Sequence, residues 1–163
     1  MINDRSTDLR NEAETPDSLF STLHREYRFT IDICASARNA KLKRYISKRK
    51  NALRMNWGRF GRVWCNCPYK VIPLWLAHAL EPKFVMYFLP ARTDRSWWFE
   101  WKPKAEVHYL VGQAPHARPQ MKPPPGIVYK GGNSMSMVLM LFGDGAKPGR
   151  ERWRSGRTGE LLR

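Results

Sequence analysis

No apolar run in this 163-residue chain is long enough to cross a bilayer, and the polar stretch from Met1 to Glu14 does not read as a signal peptide. The expected setting is a reducing cytoplasm with no membrane attachment. Cysteine is scarce and odd in number, at Cys34, Cys65 and Cys67, which leaves no disulfide framework. Zinc would normally need a second ligand pair, but the four histidines (His24, His78, His108, His116) are scattered singly. No metal is therefore expected, and Cys34 and Cys65 read as small buried residues at strand ends. Acidic residues are also short: 14 Asp and Glu face 29 Lys and Arg, a formal net charge of +15. Such a chain favours a polyanionic partner, nucleic acid first.

What is present alternates between helix and strand signals. Met1 to Glu14 has nothing to pack and is expected to be disordered. Thr15-Pro16-Asp17 reads as an N-cap, a proline at the first helical position and an acid in the first turn; Leu19, Phe20, Leu23 and Tyr27 then recur at helical spacing. Phe29 to Ala35 favours a strand that stops on Asp32 and small residues. Val63-Trp64-Cys65 predicts a second strand ending at Asn66. Ile72 to Leu80 predicts a helix with Ile72, Leu76 and Leu80 on one face, closed by Pro82. Phe84 to Leu89 is a continuous apolar run that suits a central strand covered on both faces. Thr93 or Asp94 would cap a short helix from Ser96 to Trp101. Glu106 to Val111 and Ser136 to Phe142 predict two more strands, joined by a basic, Pro- and Gly-rich connection over 113–132. The organisation expected is one domain over 15–143 and a basic flexible tail over 144–163.

The alternation specifies an α/β class with a mainly parallel sheet and an antiparallel last strand. Ligands in such sheets sit beyond the carboxyl ends of the strands. Three polar loops follow strand ends, Asp32-Ile33-Cys34-Ala35-Ser36, Asn66-Cys67-Pro68-Tyr69 and Pro90-Ala91-Arg92-Thr93-Asp94, so they should converge on one site.

An ordered series of motifs carries a family resemblance: TPDSLF, FTIDICAS, Asn39-Ala40-Lys41 with Arg44-Tyr45, VWCNCPY followed by Ile72 and Trp75, LPARTD with Trp97-Trp98, AEVHYLVG and SMVLMLF. From Thr15 to about Phe142 the chain resembles the phage-type DNA N6-adenine methyltransferases. The resemblance implies a compact Rossmann-like fold, S-adenosylmethionine as cofactor, DNA as partner and a host-cell cytoplasmic setting. It also implies that Thr15 borders the methionine carboxylate of the cofactor. Asp32 would contact the methionine amino group or lie near the ribose, and Cys34, Ala35 and Ser36 would line the same cofactor site.

Elementary chemistry supports those assignments. The adenine N6 lone pair is delocalised into the ring, so an enzyme must draw it out by accepting hydrogen bonds from the amino hydrogens. The Asn66 side-chain oxygen, with a backbone carbonyl of Cys67 or Pro68, supplies two such acceptors. Tyr69 suits stacking against a base taken out of the duplex. Asn66, Pro68 and Tyr69 are accordingly the expected catalytic loop. Arg92 and Thr93, with Lys41, Lys43 and Arg44 in the basic stretch, are expected to meet nucleic acid; simpler roles are a helix cap for Thr15 and a core aromatic for Tyr69.

Two departures stand out. The family tetrapeptide is Asn or Asp, Pro, Pro, Tyr, and Cys67 replaces its first proline, which frees φ and restores an N–H. Ser47 to Leu53 is basic where the family commonly has acids. The order Cys67-Pro68 is the reverse of the Pro-Cys of cytosine-C5 enzymes, whereas cytosine-N4 methylation uses nearly the same loop. A different class of reading is a weakened relative kept as a basic DNA-binding protein.

Overall fold

The computed structural model describes residues 14–112 and 136–163. Of the stretch 1–14 expected to be disordered, residues 1–13 lie outside those described and Glu14 within them; the connection over 113–132 also lies outside. Among the described residues, six strands form one sheet in the order β1-β2-β3-β5-β4-β6. They are β1 (Ile31–Asp32), β2 (Arg62–Cys65), β3 (Phe84–Pro90), β4 (Glu106–Val111), β5 (Met137–Gly143) and β6 (Glu151–Ser155). β1 pairs parallel with β2, β2 with β3, and β4 with β6, while β5 runs antiparallel between β3 and β4. The architecture is therefore α/β with a mostly parallel sheet and β5 as its reversed strand.

Period-two alternation sorts the strand side chains to two faces. Leu19, Phe20 and Leu23 of helix α1 (Asp17–Tyr27) meet one face, against Trp64, Phe84, Met86, Phe88, Leu139 and Leu141. Helices α2 (Ile72–Leu76) and α3 (Ser96–Trp101) bring Ile72, Trp75, Leu76, Trp97 and Trp98 to the other, against Val63, Cys65, Val85, Tyr87, Val138 and Met140. All seven residues of β3 are buried, which explains its unbroken apolar sequence. Leu19 and Leu23 are fully buried, each contributing about 1.5–3 kcal/mol relative to exposure.

The structure corrects four expectations. Pro16, not Thr15, occupies the N-cap position of α1, and no side chain caps that end, because the Thr15 hydroxyl is engaged elsewhere. α2 stops at Leu76 and Leu80 is 68% exposed, so the face predicted through Leu80 does not continue. Arg95, not Thr93 or Asp94, is at the N-cap position of α3. The stretch 144–163, read from the sequence as a basic tail, carries strand β6 beside β4.

That last strand is anchored by charge. Arg154 is 1% exposed and donates from Nε to His108 Nδ1 (2.8 Å), from Nη1 to the Gly159 carbonyl (2.9 Å) and from Nη2 to Glu26 (2.7 Å) and the Tyr27 hydroxyl (3.0 Å). His108 in turn meets Glu106 at 2.8 Å. β4, β6 and the end of α1 are thus joined by one buried network in which each charge has partners. Beyond β6 the chain folds back through an Arg154–Leu161 bridge, with Gly159 at φ 77 seated against Leu19.

Candidate functional site

The parallel register of β1 and β2 sets Asp32 beside Trp64. Cys34 and Asn66 follow just beyond the strands' carboxyl ends. Thr15, which leads into α1, borders the same place. Together Asp32, Cys34, Trp64 and Asn66 line a pocket of about 40 Å³ with Glu14, Thr15, Asn39 and Lys41. Of the residues singled out by sequence, the structure brings Thr15, Asp32, Cys34, Lys41 and Asn66 to this one place.

Asn66 is half-buried, and its Nδ2 donates to Thr15 Oγ1 at 3.3 Å. Thr15 itself is 2% exposed. This contact directs Nδ2 toward Thr15, so Oδ1, in the same amide plane, points away from that hydroxyl. Asp32 is likewise buried, accepting the Cys34 N–H on Oδ1 (3.3 Å) and the Lys41 N–H on Oδ2 (3.1 Å). Burial raises its pKa, and those two backbone donors pull it back down. The Lys41 ammonium points away, onto Asp17 at 2.7 Å.

Ala35 and Ser36 continue the β1 loop. Ala35 donates its N–H to the Ile46 carbonyl, and Ser36 uses both its N–H (2.6 Å) and its hydroxyl (3.0 Å) on Asn39 Oδ1. They shape the turn that presents Asn39 to the pocket. Cys65 and Cys67 are buried in the core; of the two thiols expected as small buried residues at strand ends, Cys65 is buried and Cys34 is not fully so. Cys34 is half-buried; burial first, then neighbouring Cys67 and Asp32, pushes its thiol well up.

Pro68 and Tyr69 follow Asn66 but are outside the lining of the small pocket. Tyr69 packs against the cores on both faces, and its buried hydroxyl has no hydrogen-bond partner among the described residues. Burial raises its pKa strongly. At the end of β3, Arg92 is engaged by Asp94 through Nε and Nη2, both at 2.8 Å, while Thr93 is exposed. Lys43 and Arg44 are exposed, with Arg44 over the Phe60 ring at 5.8 Å. Neither pair lines the pocket. Sequence reading did not single out Glu14, Asn39 or Trp64 as site residues, although Asn39 and Trp64 stand within motifs it quoted, Asn39-Ala40-Lys41 and VWCNCPY.

A second, open cleft of about 610 Å³ runs along α1 and shares Glu14, Asn39 and Lys41 with the small pocket. Among the described residues no group of three or more His, Cys, Asp and Glu could hold a metal ion, and no helix is long and apolar enough to span a membrane.

A family model described as DNA N-6-adenine-methyltransferase (Dam) matches residues 4–139. No curated protein matches the chain. The family match contains every residue of the small pocket and ends within β5, so β6 and the segment after it lie beyond the matched stretch.

Proposed function

We propose the following chemistry for a chain that belongs to the DNA N-6-adenine-methyltransferase family: a methyl group passes from S-adenosylmethionine to N6 of an adenine in DNA. The observation that carries this reading is the Thr15–Asn66 contact in a pocket that also holds the buried Asp32 carboxylate. The mostly parallel α/β sheet, with this pocket beyond its strand ends, supports a Rossmann-like methyltransferase arrangement.

The donor set suits the cofactor's amino-acid end. The buried charge nearest the pocket's small volume is a carboxylate, which attracts an ammonium and repels an anion. Asp32 would therefore hold the methionine amino group, with Thr15, Cys34, Ala35 and Ser36 around it. When bound, S-adenosylmethionine supplies a methyl group on a sulfonium. The protein's own contribution is to hold the adenine amine in line with that group, since placement alone supplies a large part of such a rate.

Asn66 does the holding. Its Oδ1, with a carbonyl of Cys67 or Pro68, accepts the two amino hydrogens and draws the nitrogen lone pair out of conjugation. A neutral amide does this without itself taking the proton, which leaves the amine only after it has become more acidic on methylation. Tyr69, half-buried between the two cores, would support the loop and stack against an extruded base. Lys41, Lys43, Arg44, Arg92 and Thr93 would meet the DNA around it. Family membership favours this enzymatic reading over that of an inactive DNA-binding relative.

The test is transfer of labelled methyl from S-adenosylmethionine to unmethylated DNA, followed by nucleoside analysis. N6-methyladenine is the expected product. N4-methylcytosine alone, or no methylated nucleoside, overturns the reading.

A further inference from the structure

The open cleft beside α1 has a polarity that the small pocket does not explain. One wall is α1 itself, which presents Phe20, His24, Arg25 and, at its end, Arg28. The other is the turn carrying Arg38 and Lys41. The end next to the small pocket is balanced, because Lys41 is paired to Asp17 there. The far end, two to three helical turns away and so about 16 Å along an 11-residue helix, gathers arginine. The turn wall belongs to an unusual stretch: residues 33–80 contain no Asp or Glu and eleven Lys and Arg.

Two details fit an anion there. Arg28 sits at φ 55, a conformation that glycine adopts freely and a side-chain-bearing residue adopts at a cost, yet the helix ends on arginine. Arg25 and Arg28 both line the cleft and are exposed, so their guanidinium groups can reach a ligand in it. A cofactor head group recognised by a carboxylate would not need this end. A chain of phosphates leading to the pocket would.

We infer that the cleft between α1 and the Arg38–Lys41 turn seats the phosphates of the DNA strand flanking the target adenine, with Arg25, Arg28 and Arg38 as its contacts. This deepens the proposed methyltransferase reading and rests on it for the identity of the polyanion as DNA. Such contacts fix register on the strand without reading sequence.

The test is binding of the full-length protein to a fluorescently labelled unmethylated duplex over a range of salt concentrations, with Arg25→Gln, Arg28→Gly and Arg38→Gln. Removing any one of these phosphate partners should reduce the slope of log affinity against log salt by about 1. Lys104→Gln, which changes net charge equally beside Trp101 on the other face of the sheet, should leave the slope unchanged. Arg28→Gly should keep or raise the midpoint of thermal unfolding while lowering the slope, which separates a missing phosphate partner from a damaged fold. Calorimetric affinity for S-adenosylmethionine should not move. Unchanged slopes in the cleft variants, an equal change with Lys104→Gln, or a fall in S-adenosylmethionine affinity in place of the slope change would each overturn the assignment. The readout needs no methyl transfer, so an inactive wild-type protein would sink the proposed function and leave this result standing.

Discussion

Thr15 Oγ1 accepts a hydrogen bond from Asn66 Nδ2 at 3.3 Å, across 51 residues of chain. The contact ties the start of α1 to the end of β2 and decides which end of the Asn66 amide is which. Thr15→Val keeps shape and removes the acceptor. It should slow methyl transfer by about 3- to 10-fold, the worth of one ordinary hydrogen bond of about 0.5–1.5 kcal/mol. Thr15→Ser should stay near wild type in single-turnover kinetics; equal losses in both variants would assign Thr15 a packing role only.

Asp32 is the buried negative charge of the pocket. Asp32→Asn removes the charge and one of the two acceptors that hold the Cys34 and Lys41 N–H groups. Calorimetry should show S-adenosylmethionine binding weakened by at least about 10-fold, with a stability loss of about 1–3 kcal/mol from the unsatisfied donor. Unchanged affinity would place the cofactor's ammonium elsewhere.

Two of the three thiols, Cys34 and Cys65, should be slow. Burial drives the Cys65 thiol well above its ordinary range, helped by its neighbour Cys67, and does the same for Cys34. Titration of Cys34 and Cys65 in the native protein with an aromatic disulfide at pH 8 should therefore proceed at least about a hundredfold slower than with free cysteine, since each unit by which a thiol pKa is raised cuts the thiolate fraction about tenfold. Cys34, half-buried and lining the pocket, should react first, and saturating S-adenosylmethionine should slow it further.

His108 couples the C-terminal strand to pH. Its Nδ1 accepts from Arg154 and its Nε2 donates to Glu106, so the native ring is neutral, and burial lowers its pKa. Unfolding releases it to an ordinary value of about 6.5, where the unfolded chain takes up a proton that the native one refuses. Stability should therefore be full above about pH 6.5 and fall below it, with a slope approaching 1.4 kcal/mol per pH unit until the native pKa is reached. Urea unfolding from pH 7.5 to 5 reads this directly. Arg154→Met leaves the buried His108 Nδ1 without its donor and the partly exposed Glu26 without its cation, and should cost about 1–3 kcal/mol at pH 7.

Much of the fold was legible because its signals were local. Glu106–Val111 and Ser96–Trp101 have the predicted bounds, and the apolar run at Phe84 is the central strand that its composition demands. β6 was not legible. Glu151-Arg152-Trp153-Arg154-Ser155 looks like charged tail, and its strand character comes from pairing with β4 and from partners for Arg154 that are up to 128 residues away. At the site, strand-end logic placed Asp32, Cys34 and Asn66 together. It missed Asn39 and Glu14, which reach the pocket through a turn and a helix lead-in with no periodic signal. Thr15 looked like a cap because its neighbours are helical; only the tertiary fold shows its hydroxyl turned to Asn66.

The most direct test of the central claim is single-turnover transfer of labelled methyl to adenine-containing duplex DNA by wild type and Asn66→Ala, with S-adenosylmethionine binding and thermal unfolding measured on the same preparations. If Asn66 polarises the adenine amine, formation of N6-methyladenine falls by about 10²–10⁴-fold in the variant while cofactor affinity and the unfolding midpoint stay put. Undiminished N6-methyladenine formation by Asn66→Ala would contradict the account.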